Sequence, residues 1–571
     1  MPISGDENED ALLIARARAA YGEGRHALAA QLAGQVPTSR AASLDALEVM
    51  ALAQRALGNI AETERLLRGA IAIAPARHWP RDDLARLLLD TGRADAAEQV
   101  CREAVDADSA NANAQAMLGN FLSEREELVE GAGHLRNALA LAGPHPQLQA
   151  NLGRNLARQG RLAEAETLLR QSLAAAPNSL SALAWLAEIL EQDGRFDEAS
   201  SVLDVAEIVA AKEGSDVTLQ RATLLSRTAG WRQGLALLEA EAMLSGAALL
   251  QRGRLRDRAG RHEDAWQDFV AGKAALARAS GRSYPHAEVE RLITDLSAFF
   301  TPANLAAMVP APIVEGVPQP IFILGFPRSG TTLTEQVIAS HSRIRAGGEL
   351  PFAAELSAIA VERSGGAYPG DFAALSAPLR TSLATTLRDH YLARAKAFGL
   401  LAPGADFFTD KMPLNELYLP LLRLAFPAAP LVSVTRHPLD VMVSAMGHDF
   451  THGFDCGYRL EDAARHFAAM NDLTAHWRDG LGIHSHALAY ERFVAAQETE
   501  TAALMAHLGP AMEPAQLAFH ESRRFAPTPS YAQVQEPLHD RSIDRWRHYA
   551  GALAPARAIL AEAIARGGYA G

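Results

Sequence analysis

The stretch that decides the fold of the second half of the chain is IFILGFPRSGTTL, residues 321–333. Four apolar residues lead into a glycine-containing turn, and the residues after Gly330 are compatible with a helix. A strand, a loop and a helix in this order place backbone N–H groups and a helix N-terminus around a phosphate, where the helix dipole favours negative charge. The stretch therefore predicts a phosphate-binding loop in an α/β domain.

The two glycines of this loop have the spacing of the nucleoside-triphosphate pattern G-x-x-x-x-G-K-[ST], with Gly325 and Gly330 at the glycine positions. Thr331 stands where that pattern has its lysine. Because that lysine reaches the β- and γ-phosphates, its absence argues against ATP or GTP and favours a cradle for one terminal 5′-phosphate. Arg328 can supply the missing charge as a forked donor.

This loop resembles the 5′-phosphosulfate loop of sulfotransferases that use 3′-phosphoadenosine 5′-phosphosulfate (PAPS). By that resemblance the 5′ end of the nucleotide is expected to bind Arg328, Ser329, Gly330, Thr331 and Thr332.

A second β-prone run, LVSVT at 431–435, is followed by Arg436 and, eight residues after the arginine, by Ser444. An arginine that leaves a strand and a hydroxyl two turns into the next helix can close on one phosphate. The pair resembles the family's 3′-phosphate element. Arg436 and Ser444 are therefore expected to bind the 3′-phosphate of PAPS.

Sulfuryl transfer needs a group that takes the proton of the acceptor and groups that stabilise charge on the leaving oxygen. Glu349, which follows two glycines, resembles the catalytic glutamate of tyrosylprotein sulfotransferases and is the candidate base, with Glu355 as its nearest competitor. Lys411, which follows the apolar pair at 407–408, resembles the family lysine that stabilises the sulfuryl group and the leaving oxygen.

The segment SYAQVQEP at 530–537, together with Arg545, resembles the part of the family that closes over the nucleotide. By that likeness Ser530 assists the transition state, and Arg545 stands where the animal enzymes carry a lysine for the 3′-phosphate. Tyr490 ends a strand-like stretch at the position of the family's nucleotide-contacting tyrosine.

A period of 34 residues organises the first half of the chain. Small residues follow the periodic glycines after five positions, and Pro75, Pro144 and Pro177 lie where a second helix would end. Each 34-residue unit is thus predicted to form a helix, a glycine-containing turn and a second helix that ends at the proline. The periodic positions are Gly24, Gly58, Gly92, Glu126, Gly160 and Gly194, and Gly230 and Gly260 continue them at looser spacing.

These residues resemble the tetratricopeptide repeat, and Gly119 and Gly153 match the small residue of that family's first helix. Stacked hairpins share a core and expose a groove. The repeats are expected to hold a peptide or partner protein in this groove; a spacer or an oligomerisation surface is the alternative, and the oligomeric state is not indicated.

The expected architecture is an N-terminal all-α solenoid of helical hairpins followed by a C-terminal α/β P-loop-like domain with a mostly parallel sheet. The solenoid is assigned to residues 1–280 and the sulfotransferase domain to residues 320–571. Residues 281–319, with an amphipathic piece and four prolines in PAPIVEGVPQP, are expected to form a connecting helix and a stiff linker.

Composition limits the partners and the compartment. A net charge of −13 argues against a nucleic-acid coat or a binder of anionic membranes. Only two cysteines are present, and there is neither a leader-like start nor an apolar run of 18 residues, so we expect a cytoplasmic protein without a membrane span. No metal is expected, because sulfuryl transfer needs none and the pair His448 and His452 lacks a following glutamate.

The acceptor is left open by the sequence. Animal tyrosylprotein enzymes follow their glutamate with basic residues, whereas Leu350, Pro351 and Phe352 follow Glu349 here. Peptide tyrosine, a glycan hydroxyl and a small metabolite all remain candidates. Two other functions also remain: a repeat scaffold whose C-terminal domain binds nucleotide without turnover, and a P-loop kinase.

Overall fold

The computed structural model describes residues 5–37, 42–125, 127–281, 283–364, 368–369, 377–450, 454–522, 528 and 530–570. The chain forms two compact units, Met1–Ile189 and Leu190–Gly571. The domain bounds at residues 280 and 320 stay a prediction, since the division by packing comes earlier in the chain. The periodic position Glu126 lies outside the described residues.

Helical hairpins fill the first unit and continue into the second. The helices of this array are α1 (Gly5–Gly22), α2 (His26–Ala33), α3 (Ser43–Ala56), α4 (Ile60–Ile73), α5 (Trp79–Asp90), α6 (Ala94–Ala107), α7 (Ala112–Glu124), α8 (Leu128–Ala142), α9 (Pro146–Arg158), α10 (Leu162–Ala175), α11 (Leu180–Gln192), α12 (Phe196–Glu213), α13 (Thr218–Ser226), α14 (Trp231–Ala240), α15 (Gly246–Arg258) and α16 (His262–Ser280).

The periodic glycines adopt the left-handed backbone conformation that a tight turn between two helices requires. Their φ angles lie between 74° and 79° at Gly24, Gly58, Gly92, Gly160, Gly194 and Gly260. Gly230, which was predicted to continue the pattern, differs: its φ is −78° and it precedes α14 directly. The looser spacing around Gly230 thus accompanies a different turn.

Small residues let the paired helices approach closely. The residues five positions after the glycines, such as Ala97 and Ala165, have no exposed surface. A Cβ added at Gly119 would lie 2.8 Å from the carbonyl oxygen of Gly131 on the facing helix. At this distance α7 and α8 are in backbone contact, which explains why the sequence has glycine at these positions.

The remaining elements build the α/β part of the second unit. They are α17 (His286–Phe299), α18 (Pro302–Ala306), β1 (Gln319–Leu324), α19 (Thr331–Ala339), β2 (Ile344–Arg345), α20 (Phe352–Ser364), α21 (Ala377–Ala397), β3 (Phe407–Asp410), α22 (Leu419–Ala425), β4 (Leu431–Thr435), α23 (Pro438–Met446), α24 (Leu460–Ala475), β5 (His486–Ala489), α25 (Tyr490–Ala495), α26 (Gln497–Leu508), α27 (Ala554–Ile559) and α28 (Ala561–Arg566).

The segment predicted as a connecting piece packs into this part. Leu296 and Phe300 are fully buried, and they share a core cluster with Phe322 and Phe408 of the sheet. Ala311 donates a backbone hydrogen bond to the Leu424 carbonyl oxygen at 2.9 Å. The proline-containing stretch, predicted as part of a stiff linker, is therefore bonded to the α/β core.

The sheet has five strands in the order β2-β3-β1-β4-β5, and every pairing is parallel. Alternate residues of β1 point into different cores: Phe322 packs with Phe408, whereas Ile321 and Ile323 pack with Val432. A parallel sheet covered on both faces needs such continuously apolar strands. The predicted fold, helical hairpins followed by a P-loop-like α/β domain, is confirmed.

None of the helices in the described part of the chain is both long enough and apolar enough to cross a bilayer.

Candidate active site

Each strand of the sheet ends beside a residue that the sequence singled out. Gly325 follows β1, Lys411 follows β3, Arg436 follows β4 and Tyr490 follows β5, while Glu349 comes four residues after β2. The carboxyl ends of parallel strands lie at one edge of a sheet, which is where open α/β sheets bind their ligands. The topology thus gathers these five positions at one edge.

The loop between β1 and α19 has the backbone of a phosphate cradle. Gly325, Arg328 and Gly330 all have positive φ angles, of 147°, 73° and 110°. For Arg328 this conformation is uncommon, and such backbone strain concentrates at functional sites. A Cβ added at Gly330 would lie 2.9 Å from the ring of Tyr490, so this position also needs glycine for space. Helix α19 begins at Thr331, directly after the turn.

Arg328 connects the loop to two other parts of the site. Its Nε donates to Ser444 Oγ at 2.9 Å, its Nη2 donates to Gln533 Oε1 at 3.1 Å, and its Nη1 donates to Ser530 Oγ. Arg436 in turn donates from Nη1 to the Arg328 carbonyl oxygen at 2.9 Å. One guanidinium therefore brings together the 5′-phosphate loop, the hydroxyl predicted for the 3′-phosphate, and the C-terminal segment.

Most of the residues predicted to bind the nucleotide line one cavity. Arg436 lies over the ring of Tyr490, with its Cζ 4.8 Å from the ring centroid. Predicted site residues that line the cavity are Arg328, Gly330, Thr331, Thr332, Arg436, Tyr490 and Ser530. Ser329, Glu349, Lys411, Ser444 and Arg545 are not among the lining residues.

Positive charge is concentrated at this cavity. Burial, and then the nearby Arg436, Arg545 and Arg254, lower the pKa of Arg328 to about 9. Burial likewise lowers the pKa of Arg436. Charged groups buried beside like charges are destabilised unless a counter-ion is bound. The cluster therefore has the electrostatics of an anion site.

Several buried donors at this cluster have no hydrogen-bond partner within the described residues. They are Ser329 Oγ, Arg436 Nε and Arg545 Nε. Buried polar atoms are rarely left without partners. A ligand with phosphate oxygens is the kind that hydroxyl and guanidinium donors can satisfy, so the residues present fit the nucleotide that the sequence suggested.

Glu349 and Lys411 form an ion pair between Oε1 and Nζ. The lysine side chain is 1% exposed, and that of the glutamate is 19% exposed, so the carboxylate retains access to solvent. Glu355, the competing candidate, instead contacts His390 at 2.8 Å and Arg394 at 3.1 Å. Of the two glutamates, Glu349 is thus the one placed beside the predicted catalytic lysine.

A buried carboxylate on α19 holds the loop that carries Glu349. Glu335 accepts hydrogen bonds from the Gly348 nitrogen at 2.8 Å and from Thr409 Oγ1 at 2.6 Å. A Cβ added at Gly347 would lie 2.0 Å from the Thr409 carbonyl oxygen. The two glycines before Glu349 therefore allow this loop to lie against the end of β3, which brings Glu349 to Lys411.

Arg545 lies in a different setting from the one predicted. Its Nη2 forms an ion pair with Asp257 Oδ2 of α15 at 2.8 Å. The side chain contributes positive charge near Arg328, but the cavity lining does not include it. Its role at the 3′-phosphate stays a prediction. His452, considered above for metal binding, lies outside the described residues.

Sequence reasoning missed several residues that shape the site. Gln533 bonds Arg328, Glu416 Oε1 accepts the Gly325 N–H at 2.6 Å, and Asp440 accepts the backbone N–H groups of Asp544 and Trp546. The sequence did offer a clue to Glu416 and Asp440, because each of these acidic residues interrupts an apolar stretch. Gln533 lies in the segment 530–537 that the sequence singled out, but nothing in the sequence distinguished it from the other residues of that segment.

Glu416 gives the loop a pH-dependent stability. Burial raises the pKa of Glu416 from 4.5 to about 7. A carboxyl whose folded pKa is raised favours the folded state when protonated, so ionisation removes stability as pH rises from about 4.5 to about 7. We expect Glu416→Gln to gain stability relative to the unaltered chain between pH 5 and pH 8, measured as the difference in urea unfolding free energy.

Glu513→Gln is the matched control for this measurement. Hydrogen bonds from Ser342 lower the pKa of Glu513, so both its folded and unfolded forms are ionised above pH 5. Its difference from the unaltered chain should stay flat over the same range. A flat difference for Glu416→Gln as well would contradict the prediction.

Comparison with known proteins agrees with this geometry. The family described as "Sulfotransferase family" matches residues 320–514, and the tetratricopeptide repeat matches residues 54–121 and 156–220. The chain combines tetratricopeptide repeats with a sulfotransferase-family domain. The matched residues contain β2 to β5, β1 from Pro320 onwards, and Glu349, Lys411, Arg436 and Tyr490, whereas Ser530 and Arg545 lie beyond them.

Related proteins match only parts of the chain. An uncharacterized protein of Aquifex aeolicus (strain VF5) is 31% identical over 256 residues, which are 43% of this chain and 32% of that protein. The chain thus spans about a third of the length of that curated relative. Solved structures that match part of this chain include a tetratricopeptide repeat protein from Parabacteroides merdae and pilF of Pseudomonas aeruginosa.

Both solved structures are distant. The first has 16% identity and a TM-score of 0.36 and covers 41% of this chain and 93% of its own. The second has 20% identity and a TM-score of 0.27 and covers 43% of this chain and 96% of its own.

Proposed function

We propose that the sulfotransferase domain transfers a sulfuryl group from PAPS to an acceptor hydroxyl. The observation that carries the proposal is the Glu349–Lys411 ion pair at the same sheet edge as the loop that carries Arg328. The family match supports sulfotransfer in general. The donor and the roles of individual residues are our proposal.

Arg328, Ser329, Gly330, Thr331 and Thr332 would bind the 5′ end of the donor. The positive φ angles of the loop and the start of α19 at Thr331 support this assignment, because turns of this kind before a helix N-terminus commonly bind anions through backbone N–H groups. Ser329 Oγ, a buried hydroxyl without a partner in the described residues, would donate to a phosphate oxygen.

Arg436, Ser444 and Arg545 would bind the 3′-phosphate, and Tyr490 would contact the nucleotide. Ser444 already bonds Arg328, and Arg436 lies against the Tyr490 ring. Binding at both ends of the nucleotide would therefore involve one connected group of side chains. An anion bound there would offset the repulsion among the buried guanidinium groups.

The reaction is an in-line displacement at sulfur. Glu349 takes the proton of the acceptor hydroxyl as its oxygen bonds to sulfur, and the bond from sulfur to the bridging oxygen of the donor breaks. Lys411 and Ser530 stabilise the negative charge that moves to this oxygen. Positioning and electrostatic stabilisation supply most of the catalysis, as in phosphoryl transfer, and no metal is required.

The repeats would recruit a protein or peptide partner. Tetratricopeptide hairpins stack to form a continuous surface that suits an extended peptide, which supports a role in holding the acceptor or another protein. Labelled-sulfate transfer to a cell lysate, followed by mass spectrometry, identifies which hydroxyl is modified.

Adenosine 3′,5′-bisphosphate is expected to raise the thermal midpoint of the chain, because it binds the folded site and not the unfolded chain. At 100 times its dissociation constant the stabilisation should be about 2.7 kcal/mol. Differential scanning fluorimetry with the bisphosphate, compared with ATP and Mg²⁺, is the measurement. Stabilisation by ATP and Mg²⁺ alone would contradict the proposal and favour a kinase.

A further inference from the structure

Residues of the later helical hairpins contact the segment that carries Ser530. Glu191, in the last turn of α11, accepts a hydrogen bond from Tyr531 Oη at 2.7 Å and from Arg227 Nη1 at 2.5 Å. All of these residues belong to the unit Leu190–Gly571. The contact is therefore internal to the unit that contains the sulfotransferase domain.

Arg227 extends this contact along the segment. Its Nη2 donates to Gln535 Oε1 at 2.8 Å, and its Cζ lies 5.3 Å from the ring centroid of Tyr531. Gln535 in turn donates from Nε2 to the Gln192 carbonyl oxygen at 3.0 Å. Two residues of the segment are thus fixed to the helical hairpins by several hydrogen bonds.

The segment 530–535 is bonded on two sides. Ser530 and Gln533 bond the Arg328 guanidinium, whereas Tyr531 and Gln535 bond Glu191 and Arg227. Residues that alternate along a short segment in this way cannot move independently. A shift of Tyr531 or Gln535 would displace the groups that orient Arg328.

The ion pair between Glu191 and Arg227, to which Tyr531 and Gln535 are bonded, is buried. The Glu191 side chain is 4% exposed and that of Arg227 is 13% exposed. Such a pair holds its neighbours in one arrangement, because displacing either partner leaves the other charge buried and unpaired. The structure therefore has a rigid anchor where the C-terminal segment approaches the phosphate loop.

The later hairpins also contact residues 545–549, which follow the segment 530–535. Asp257 of α15 forms the ion pair with Arg545 and accepts a hydrogen bond from the Tyr549 hydroxyl. Phe269 of α16 shares a core cluster with Tyr549 and with Met446 of α23. Residues of 530–535 and of 545–549 are therefore both bonded to the later hairpins.

We infer that Glu191 and Arg227 are positioning residues of the nucleotide site: they hold Tyr531 and Gln535 so that Ser530 and Gln533 orient Arg328. The inference rests on the proposed function, since the nucleotide is part of that proposal. It gives the later hairpins a second role besides partner binding. The site is built jointly by the hairpins and the sulfotransferase domain.

The test compares Glu191→Gln, Tyr531→Phe and the double variant of the full chain. Affinity for adenosine 3′,5′-bisphosphate is measured by calorimetry, and KM for PAPS and for the acceptor by initial rates. Each single variant should weaken bisphosphate affinity and raise the PAPS KM by about tenfold, as loss of a hydrogen bond to a charged group does. The acceptor KM should not change.

The double variant separates positioning from general destabilisation. Glu191→Gln places an uncharged amide opposite the Tyr531 hydroxyl, and Tyr531→Phe removes that hydroxyl. Because both substitutions therefore act on the same charged hydrogen bond, the double variant should bind no more weakly than the weaker single variant. Glu239→Gln is the matched control: Glu239 pairs with Arg256 and Arg261 in the same hairpins, and bisphosphate affinity should stay unchanged. If Glu191→Gln does not fold, Tyr531→Phe, which removes one hydroxyl, decides the question.

Failure of the positioning role and failure of the proposed function give different results. If the unaltered chain binds the bisphosphate and both single variants bind it as tightly as the unaltered chain does, the positioning role of Glu191 and Arg227 is overturned while the proposed function stands. Additive effects in the double variant would overturn the positioning role too. If the unaltered chain neither binds the bisphosphate nor transfers sulfate, the proposed function fails, and the inference fails with it.

Discussion

Glu349→Ala is expected to lower the rate of sulfuryl transfer by about 10²- to 10⁴-fold, the usual contribution of a positioned general base. Affinity for adenosine 3′,5′-bisphosphate should change little, because Glu349 lies outside the cavity lined by Arg328 and Tyr490. The measurements are the rate of labelled-sulfate transfer at saturating PAPS and the calorimetric dissociation constant of the bisphosphate.

Glu355→Ala serves as the control for Glu349→Ala. Its carboxylate is held by His390 and Arg394 and does not contact Lys411, so transfer should stay close to the unaltered rate. A larger loss from Glu355→Ala than from Glu349→Ala would reverse the assignment of the base. A chain that binds the bisphosphate but shows no transfer even when unaltered would indicate a repeat scaffold.

Arg328→Lys is expected to weaken binding of the bisphosphate by about 10- to 150-fold. The guanidinium bonds three side chains at once, Ser444, Ser530 and Gln533, and an ammonium group on a flexible stem cannot reproduce this geometry. The estimate follows from the roughly 1.5–3 kcal/mol that a hydrogen bond to a charged group contributes. Calorimetric titration measures the change.

Arg343→Lys controls for the loss of a guanidinium elsewhere in the sulfotransferase domain. Arg343 is 61% exposed and pairs with Asp406 before β3, away from the phosphate loop. Its replacement should leave bisphosphate affinity unchanged. Equal affinities for Arg328→Lys and the unaltered chain would show that the loop does not bind the nucleotide through Arg328.

The features predicted well from sequence are those set by local chemistry. The periodic glycines give φ angles near 75° because a two-helix turn needs the left-handed conformation, and this need repeats every 34 residues. The strands that end just before Gly325, Lys411 and Arg436 could be predicted because each contains apolar or β-branched residues typical of a buried parallel strand. Their convergence at one edge follows from topology once the strands are placed.

The features that were missed depend on contacts between distant parts of the chain. No local pattern joins Asp257 to Arg545 or Glu191 to Tyr531, since the partners are about 300 residues apart. The packing of Leu296 and Phe300 was hidden in the same way, because an amphipathic helix before a proline-containing stretch also suits a free connector. Such contacts arise only from the assembled core.

The second unit begins early, at Leu190, and this determines which fragment of the chain can be expected to fold by itself. A fragment cut at residue 281 would leave Met446 and Tyr549 without Phe269, and Arg545 without its carboxylate. Cutting the chain at that point would leave the sulfotransferase-family domain with an exposed apolar face. A fragment intended to fold by itself therefore needs the hairpins after residue 190 as well.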